Sequence, residues 1–311
     1  MRILFVTSNR LGDAVLSTGL LDHLLRTHPD ARITVVCGPV AQGVFDRMPN
    51  RERTIVLEKR PYGRHWLPLW AATVTTRWDL VVDIRGSALS WLVPTRRRTV
   101  MRRRPGHKTA QLAAMFGIAP PPLPVVWTAP EDRARAAALL PAGPVIALAP
   151  TANWSPKVWP ADRFAALFRA LDLPDATPVV FGGPGDTERR MAAPLLTALP
   201  GAIDLVGRLT VPEVAACLAR STLFVGNDSG LMHLAAAAGA PTVGLFGPTN
   251  AAEYGPVGAC ARAVTGASMD DITAEQVLQA ARGMIREAGR PRTVLDEVAG
   301  SSPAMTKVAR P

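Results

Sequence analysis

Cysteine is scarce in this 311-residue chain. Cys37, Cys217 and Cys260 are odd in number, lie far apart and form no C-x-x-C pair. That excludes a disulfide framework and a zinc ribbon, and leaves three thiols to be buried as small hydrophobes. Long apolar runs are missing as well. No stretch reaches the ~18 residues that a membrane-spanning helix needs. The apolar part of the opening Met1-Arg2-Ile3-Leu4-Phe5-Val6 is too short for a secretory signal. The expectation is a cytoplasmic protein. Disorder is excluded for the bulk of the chain: apolar residues make up 48%, and 25 Gly with 29 Pro stay below low-complexity levels. The first strand is not followed by G-x-G-x-x-G, and G-x-x-x-x-G-K-[ST] is absent. Nicotinamide, flavin and P-loop chemistry are therefore disfavoured, and no cofactor is expected.

The charge is unevenly spread. The formal net charge is +10, yet residues 1–140 hold 21 basic and 10 acidic side chains while residues 141–311 hold 14 and 15. Excess positive charge confined to one part suggests two regions with different partners, the first of them polyanionic. Seven basic residues, Arg96, Arg97, Arg98, Arg102, Arg103, Arg104 and Lys108, fall within thirteen positions with no acid among them. A solvated loop and an anion-docking patch both fit this run. Nucleic acid is not expected, because no aromatic residues interleave between Arg96 and Lys108.

Strand and helix patterns alternate from the first residue. Strands are expected at Ile3–Thr7, Ile33–Cys37, Asp79–Ile84, Val145–Ala149, Pro178–Gly182, Thr222–Gly226 and Thr242–Phe246. Helices are expected on the Leu16–Leu25 periodicity and at Glu131–Leu140, Ala161–Leu171, Thr187–Leu199, Val211–Ala219, Ser229–Ala238 and Thr273–Ala288. The last opens with Thr273 and Gln276 at capping-box spacing. The proline-rich stretch around Pro120–Pro124 cannot be helix or central strand and reads as a linker. The chain thus divides into an α/β domain over residues 1–140, with a linker near 119–130, an α/β domain over 141–290, and a poorly ordered tail over 291–311. Open parallel sheets bind ligands at the carboxyl ends of their strands, so the natural site is the cleft between the two.

Four loops fall at such strand ends. Ser8-Asn9-Arg10-Leu11-Gly12-Asp13 follows the first strand. Asp13 there reads either as a helix N-cap, which the local sequence favours, or as a carboxylate at the cleft mouth, able to accept a proton. Asp228-Ser229-Gly230, before a helix bearing His233, offers free backbone N–H groups to an anion. A carboxylate beside a phosphate site is repulsive unless Asp228 binds something else, such as sugar hydroxyls; His233 by itself reads as a core histidine. Lys157 in the loop Pro150–Pro160 could neutralise a phosphate to which Thr151 also donates, or could simply be solvated. Gly182-Gly183-Pro184-Gly185-Asp186 alone is a flexible turn.

Taken together, N-R-L-G-D-A-V at 9–15, K-x-W-P at 157–160, G-G-P-G-D at 182–186, N-D-S-G-L-M-H-L-A-A at 227–236 and F-G-P-T at 246–249 resemble glycosyltransferase family 9, the ADP-heptose:lipopolysaccharide heptosyltransferases. The likeness extends to about residue 288. It implies a GT-B fold, two Rossmann-like α/β domains facing across a cleft, with inverting, metal-independent transfer. Carried over residue by residue, it implies Asp13 as general base. The donor would be held by Thr151, Lys157, Gly183, Asp228, Ser229, Gly230 and His233. The donor would be a nucleotide sugar, ADP-heptose, and the acceptor an anionic glycolipid of the lipopolysaccharide inner core. Arg10 and the Arg96–Lys108 run would meet that acceptor at the inner face of the inner membrane. Thr151 stands where the family often has Gly. Two other functions fit the residues: transfer of a different nucleotide sugar to another cell-envelope glycan, or non-catalytic binding of a nucleotide sugar or polyanion.

Overall fold

The computed structural model describes residues 1–58 and 61–288; the expected ragged tail at 291–311 lies outside them. Two parallel sheets carry the fold. Strands β1 (Arg2–Val6), β2 (Arg32–Cys37), β3 (Arg51–Val56), β4 (Trp78–Asp83) and β5 (Thr95–Val100) form the first, in the order β3-β2-β1-β4-β5. Strands β6 (Val145–Ala149), β7 (Thr177–Val180), β8 (Ile203–Asp204), β9 (Leu223–Asn227), β10 (Thr242–Phe246) and β11 (Ala261–Thr265) form the second, in the order β11-β10-β9-β6-β7-β8.

The first sheet is served by helices α1 (Leu11–Thr27), α2 (Trp66–Val74), α3 (Leu89–Leu92) and α4 (Lys108–Ala113). After the linker come α5 (Pro130–Leu139), α6 (Ala161–Leu171), α7 (Asp186–Ala198), α8 (Val211–Leu218), α9 (Gly230–Ala237), α10 (Ala251–Tyr254) and α11 (Ala274–Ala288). Central strands β6, β9 and β10 are buried along their whole length, as expected of parallel strands covered on both faces. Helix α11 shows why the sequence folds as it does locally. Thr273 N–H donates to Gln276 Oε1 at 2.9 Å and Gln276 N–H to Thr273 Oγ1 at 3.2 Å, which closes the capping box. Val277, Leu278, Ala281 and Met284 then bury one side.

Seven strands lie within two residues of their expected bounds; β3, β5, β8 and β11 were not anticipated. The most consequential correction concerns Arg96, Arg97 and Arg98. They are not in a loop but on edge strand β5, paired in parallel with β4.

The core has three parts. One cluster runs from the α1 side of the first sheet (Ile3, Phe5, Val82) through α1, α8 and α9 to Ala147 and Phe224 of the second. The far face of the second sheet packs Trp159, Phe164 and Leu278, and that of the first packs Leu4, Val81 and Leu69 beneath α2 and α3. The shared cluster joins the two sheets through the helices packed between them.

Candidate active site

In the first sheet the chain reverses its winding between β1 and β4, which opens a crevice at their carboxyl ends. Arg85, after β4, donates to Asn9 Oδ1, after β1, across that point at 3.2 Å. Helix α1 starts just beyond. Its N-cap is Arg10, in extended conformation and without a side-chain capping bond. The N-cap reading of Asp13 therefore does not hold. Asp13 lies in the first turn of α1 and accepts one hydrogen bond, from Ser8 Oγ at 3.2 Å; the same hydroxyl accepts the Arg10 N–H at 3.1 Å. The other carboxylate of this corner, Asp83, is fully buried. It accepts from the N–H groups of Arg85, Gly86 and Ser87 and from Ser87 Oγ at 2.6–3.1 Å, and so is consumed in closing its loop. Of the two, Asp13 retains accepting capacity at the helix's positive end.

The second sheet reverses between β6 and β9. Lys157 and Asp228 straddle this point as an ion pair, Nζ to Oδ2 at 2.6 Å, with side chains 18% and 9% exposed. Asn227 ties the same two loops together. Its Oδ1 accepts the Trp159 N–H at 3.1 Å and its Nδ2 donates to the Pro150 carbonyl at 2.9 Å. Thr151 is buried beside them. Gly183 sits after β7 with its N–H already donated to Glu188 Oε2 at 3.0 Å.

Helix α9 follows β9 with Ser229 as N-cap and no side-chain capping bond. Three buried polar atoms here, Ser229 Oγ, His233 Nδ1 and Thr249 Oγ1, have no hydrogen-bond partner among the described residues. Each such group costs ~1–3 kcal/mol unless a ligand or water meets it. Thr249 follows β10, the neighbour of β9. Burial pushes the His233 imidazole down to about 4, opposed by the Asp228 carboxylate and aided by His107 and Lys157. It is therefore neutral near pH 7, with one ring nitrogen free to donate or accept.

The two halves meet at helix N-termini. A Cβ added to Gly12 would lie 2.7 Å from His233 Cδ2, and one added to Gly230 would lie 2.7 Å from the Leu11 Cβ. Only glycine permits this approach, which sets the positive ends of α1 and α9 against each other. His107 Nε2 is 3.0 Å from the Gly255 carbonyl across the same junction. Burial raises the Tyr254 phenol, and so do the carboxylates of Asp13 and Glu253, while Arg103 opposes them. Asp13, Arg103 and Tyr254 thus share one electrostatic neighbourhood.

The structure gathers Asp13, Lys157, Asp228, Ser229, Gly230 and His233 around this junction, with Thr151 and Gly183 at adjoining strand ends. The basic run is split. Arg10 is exposed at the Asp13 corner, and Arg102, Arg103 and Arg104 are exposed beyond β5. Lys108 opens α4, 3.7 Å from Met101 Sδ. Arg96 instead pairs with Asp79 at 3.4 Å, and Arg98 donates to the Ser90 carbonyl at 2.7 Å and lies over the Trp91 ring at 4.7 Å. Strand alternation turns Arg97 to the opposite face. The sequence reading missed Thr249, although it lies in the F-G-P-T motif, as well as His107, Tyr254 and Glu188, which carry no motif. Among the described residues, no three His, Cys, Asp or Glu side chains gather where they could hold a metal ion.

The family described as Glycosyltransferase family 9 (heptosyltransferase) matches residues 76–279. The chain is 25% identical over 296 residues to a lipooligosaccharide heptosyltransferase 2 of Haemophilus influenzae, covering 80% of this chain and 84% of that one. In fold it is similar to a glycosyl transferase family 9 structure from Veillonella parvula, with a TM-score of 0.77 at 23% identity, covering 92% and 97% of the two chains. It is also similar to the ADP-heptose LPS heptosyltransferase II structure of E. coli, with a TM-score of 0.74 at 23% identity, covering 93% and 100%. The GT-B arrangement implied by the sequence motifs is therefore the fold of this chain.

Proposed function

The chain belongs to glycosyltransferase family 9, the heptosyltransferase family, and from that premise we propose that it moves heptose from ADP-heptose to a lipopolysaccharide inner-core acceptor with inversion at the anomeric carbon. The observation that carries this reading is the contact of Gly12 with His233. It sets the Asp13 corner of one sheet beside the uncapped N-terminus of α9 on the other. The ADP-heptose named for the E. coli structure and the lipooligosaccharide named for the Haemophilus relative support the choice of substrates.

In this mechanism an acceptor hydroxyl attacks the anomeric carbon as the bond from that carbon to the diphosphate oxygen breaks on the opposite side. Asp13 takes the hydroxyl proton. Its carboxylate is suited to this because a single hydroxyl occupies it. The departing diphosphate gains negative charge, which Lys157 and the Ser229–Gly230 end of α9 offset. Ser229 Oγ, Thr249 Oγ1 and His233 Nδ1 are the unpaired groups that donor oxygens would satisfy. Asp228 anchors Lys157 before the donor arrives and then holds sugar hydroxyls. Thr151 and Gly183 border the donor. In this reading Lys157, the N-terminus of α9 and the neutral His233 stabilise the leaving group without a metal. Arg10 and Arg102–Arg104, exposed on the acceptor side, meet the acid groups of a glycolipid presented at the inner face of the inner membrane.

The test is release of nucleoside diphosphate from ADP-heptose, ADP-glucose, UDP-glucose and GDP-mannose, with and without a heptose-deficient inner-core acceptor. Acceptor-dependent release from ADP-heptose is expected. Acceptor-dependent release from another donor alone would assign the chain to a different cell-envelope glycan. Binding without release would make it a non-catalytic binder.

A further inference from the structure

Helix α2 reads Trp66-Leu67-Pro68-Leu69-Trp70-Ala71-Ala72-Thr73-Val74, nine residues without a charge. A helix apolar on all sides is normally buried on all sides. Here only Leu69 and Thr73 are buried. Leu67 is 69% exposed and Trp70 38%, and the adjoining α3 adds Trp91 at 64% and Leu92 at 60%. The two helices form one surface, because Trp70 Nε1 donates to the Leu92 carbonyl at 3.0 Å. The apolar surface is edged by basic groups. Arg98 lies over Trp91, Arg85 lies over Trp66 at 5.7 Å, and Arg53 donates to the Ala72 carbonyl at 2.6 Å. Arg64 and Arg77 flank the ends of α2 and are exposed. Asp79, on the neighbouring strand β4, is paired with Arg96 and with the Arg2 N–H.

We infer that α2 and α3 form the face by which this protein docks on an anionic lipid bilayer. Tryptophan and leucine enter the headgroup boundary while the surrounding arginines pair with lipid phosphates. A rim of arginines complements a negative surface, and the aromatic rings prefer the interfacial region over either water or hydrocarbon. This deepens the proposed function and rests on it for the acceptor, since Trp66, Arg85 and Asn9 connect the face to the Asp13 corner. A lipid-borne acceptor would then reach the cleft from the surface on which the enzyme sits. The long arginine run at 96–104 supplies charge, but the apolar anchors lie elsewhere in sequence.

The experiment is co-sedimentation of the full chain with phosphatidylethanolamine–phosphatidylglycerol vesicles and with phosphatidylcholine vesicles, at low and high salt. It compares wild type with the triple variant Leu67→Gln, Trp91→Gln, Leu92→Gln, whose altered residues are exposed and spare the core. Light scattering checks oligomeric state. Wild type should prefer anionic vesicles and keep part of its binding at high salt, where the charge contribution is screened. The triple variant should lose at least about tenfold in partitioning and most of the salt-resistant fraction. Its transfer to a delipidated acceptor should stay at the wild-type rate. Equal sedimentation of the two proteins, no wild-type binding to either vesicle, or a wild-type dimer dispersed by the triple variant would each overturn the inference. Failure of transfer to every acceptor, with vesicle binding lost as expected, would refute the proposed function and leave the docking face standing.

Discussion

Separating Lys157 from Asp228 tests how the proposed donor site is balanced. The pair is short, at 2.6 Å, and both side chains are largely shielded from water. Removing one partner of such a pair leaves an uncompensated charge, which costs up to about 3–5 kcal/mol when fully buried. Lys157→Ala should therefore destabilise the fold and strip the diphosphate of its cation. A hydrogen bond to a charged group is worth ~1.5–3 kcal/mol, and the unpaired Asp228 would also repel the phosphates. The combined loss in ADP affinity should be on the order of 10²–10³-fold, at about 1.4 kcal/mol per tenfold. Asp228→Asn acts in the opposite direction. It frees Lys157 and removes the repelling charge, so bare ADP should bind as tightly as to wild type or up to about tenfold tighter. ADP-heptose should lose the advantage that its sugar confers. The double variant should recover about tenfold of the ADP affinity lost by Lys157→Ala alone. Calorimetric titration of the four proteins with ADP and with ADP-heptose measures all of this. If Asp228→Asn weakened ADP as severely as Lys157→Ala, or if the two losses simply added, the carboxylate would be part of the phosphate site itself. The reasoning about its opposing charge would then be wrong.

Three further outcomes follow from the junction. His233 is held down to about 4 by burial, below its ordinary 6.5, so the unfolded chain binds the proton more readily than the folded one. Stability should fall as pH drops from about 6.5 to about 4, by roughly 3 kcal/mol from this group, and His233→Asn should lose that dependence in denaturant titrations at the two ends of the range. Gly230→Ala would drive a methyl group into Leu11; a loss of about 1–3 kcal/mol in unfolding free energy and weaker ADP binding are expected, and wild-type values for both would contradict the close approach of α1 and α9. Changing Arg102, Arg103 and Arg104 to Gln should weaken low-salt binding to anionic vesicles, at about 1 kcal/mol per charge near the surface, while ADP affinity measured by calorimetry stays unchanged.

The central strands were legible because both faces of each are covered. Val145–Ala149 and Thr242–Phe246 are near-continuous apolar runs, which is what complete burial demands. The four missed strands are the edge strands of the two sheets, where burial is partial. β3 reads Arg-Glu-Arg-Thr-Ile-Val and β5 reads Thr-Arg-Arg-Arg-Thr-Val. Edge strands tolerate such charges because one side lacks a partner, and the same charges hide the strand pattern. At the candidate site, Asp228, Ser229 and His233 could be read from one contiguous motif on one turn and helix. The pairing of Lys157 with Asp228, 71 positions apart, could not, because it depends on β6 and β9 being neighbours. His107 and Tyr254 were invisible for the same reason: each reaches the junction only through the packing of one sheet's helices on the other's. Asp13 was ambiguous in sequence, since a helix-start aspartate suits a cap. Arg10 at the cap position and the Ser8 hydrogen bond decide against that reading.

The central claim is that Asp13 accepts the acceptor's proton across the junction from the donor site. Single-turnover transfer with donor saturating, wild type against Asp13→Asn, tests it most directly. The amide preserves shape and can still accept from Ser8, but it cannot take up a proton. The transfer rate should fall by about 10²–10⁴-fold, while the dissociation constant for ADP-heptose stays at its wild-type value. Transfer by the Asn variant at the wild-type rate would contradict the account and move the general base elsewhere in the cleft.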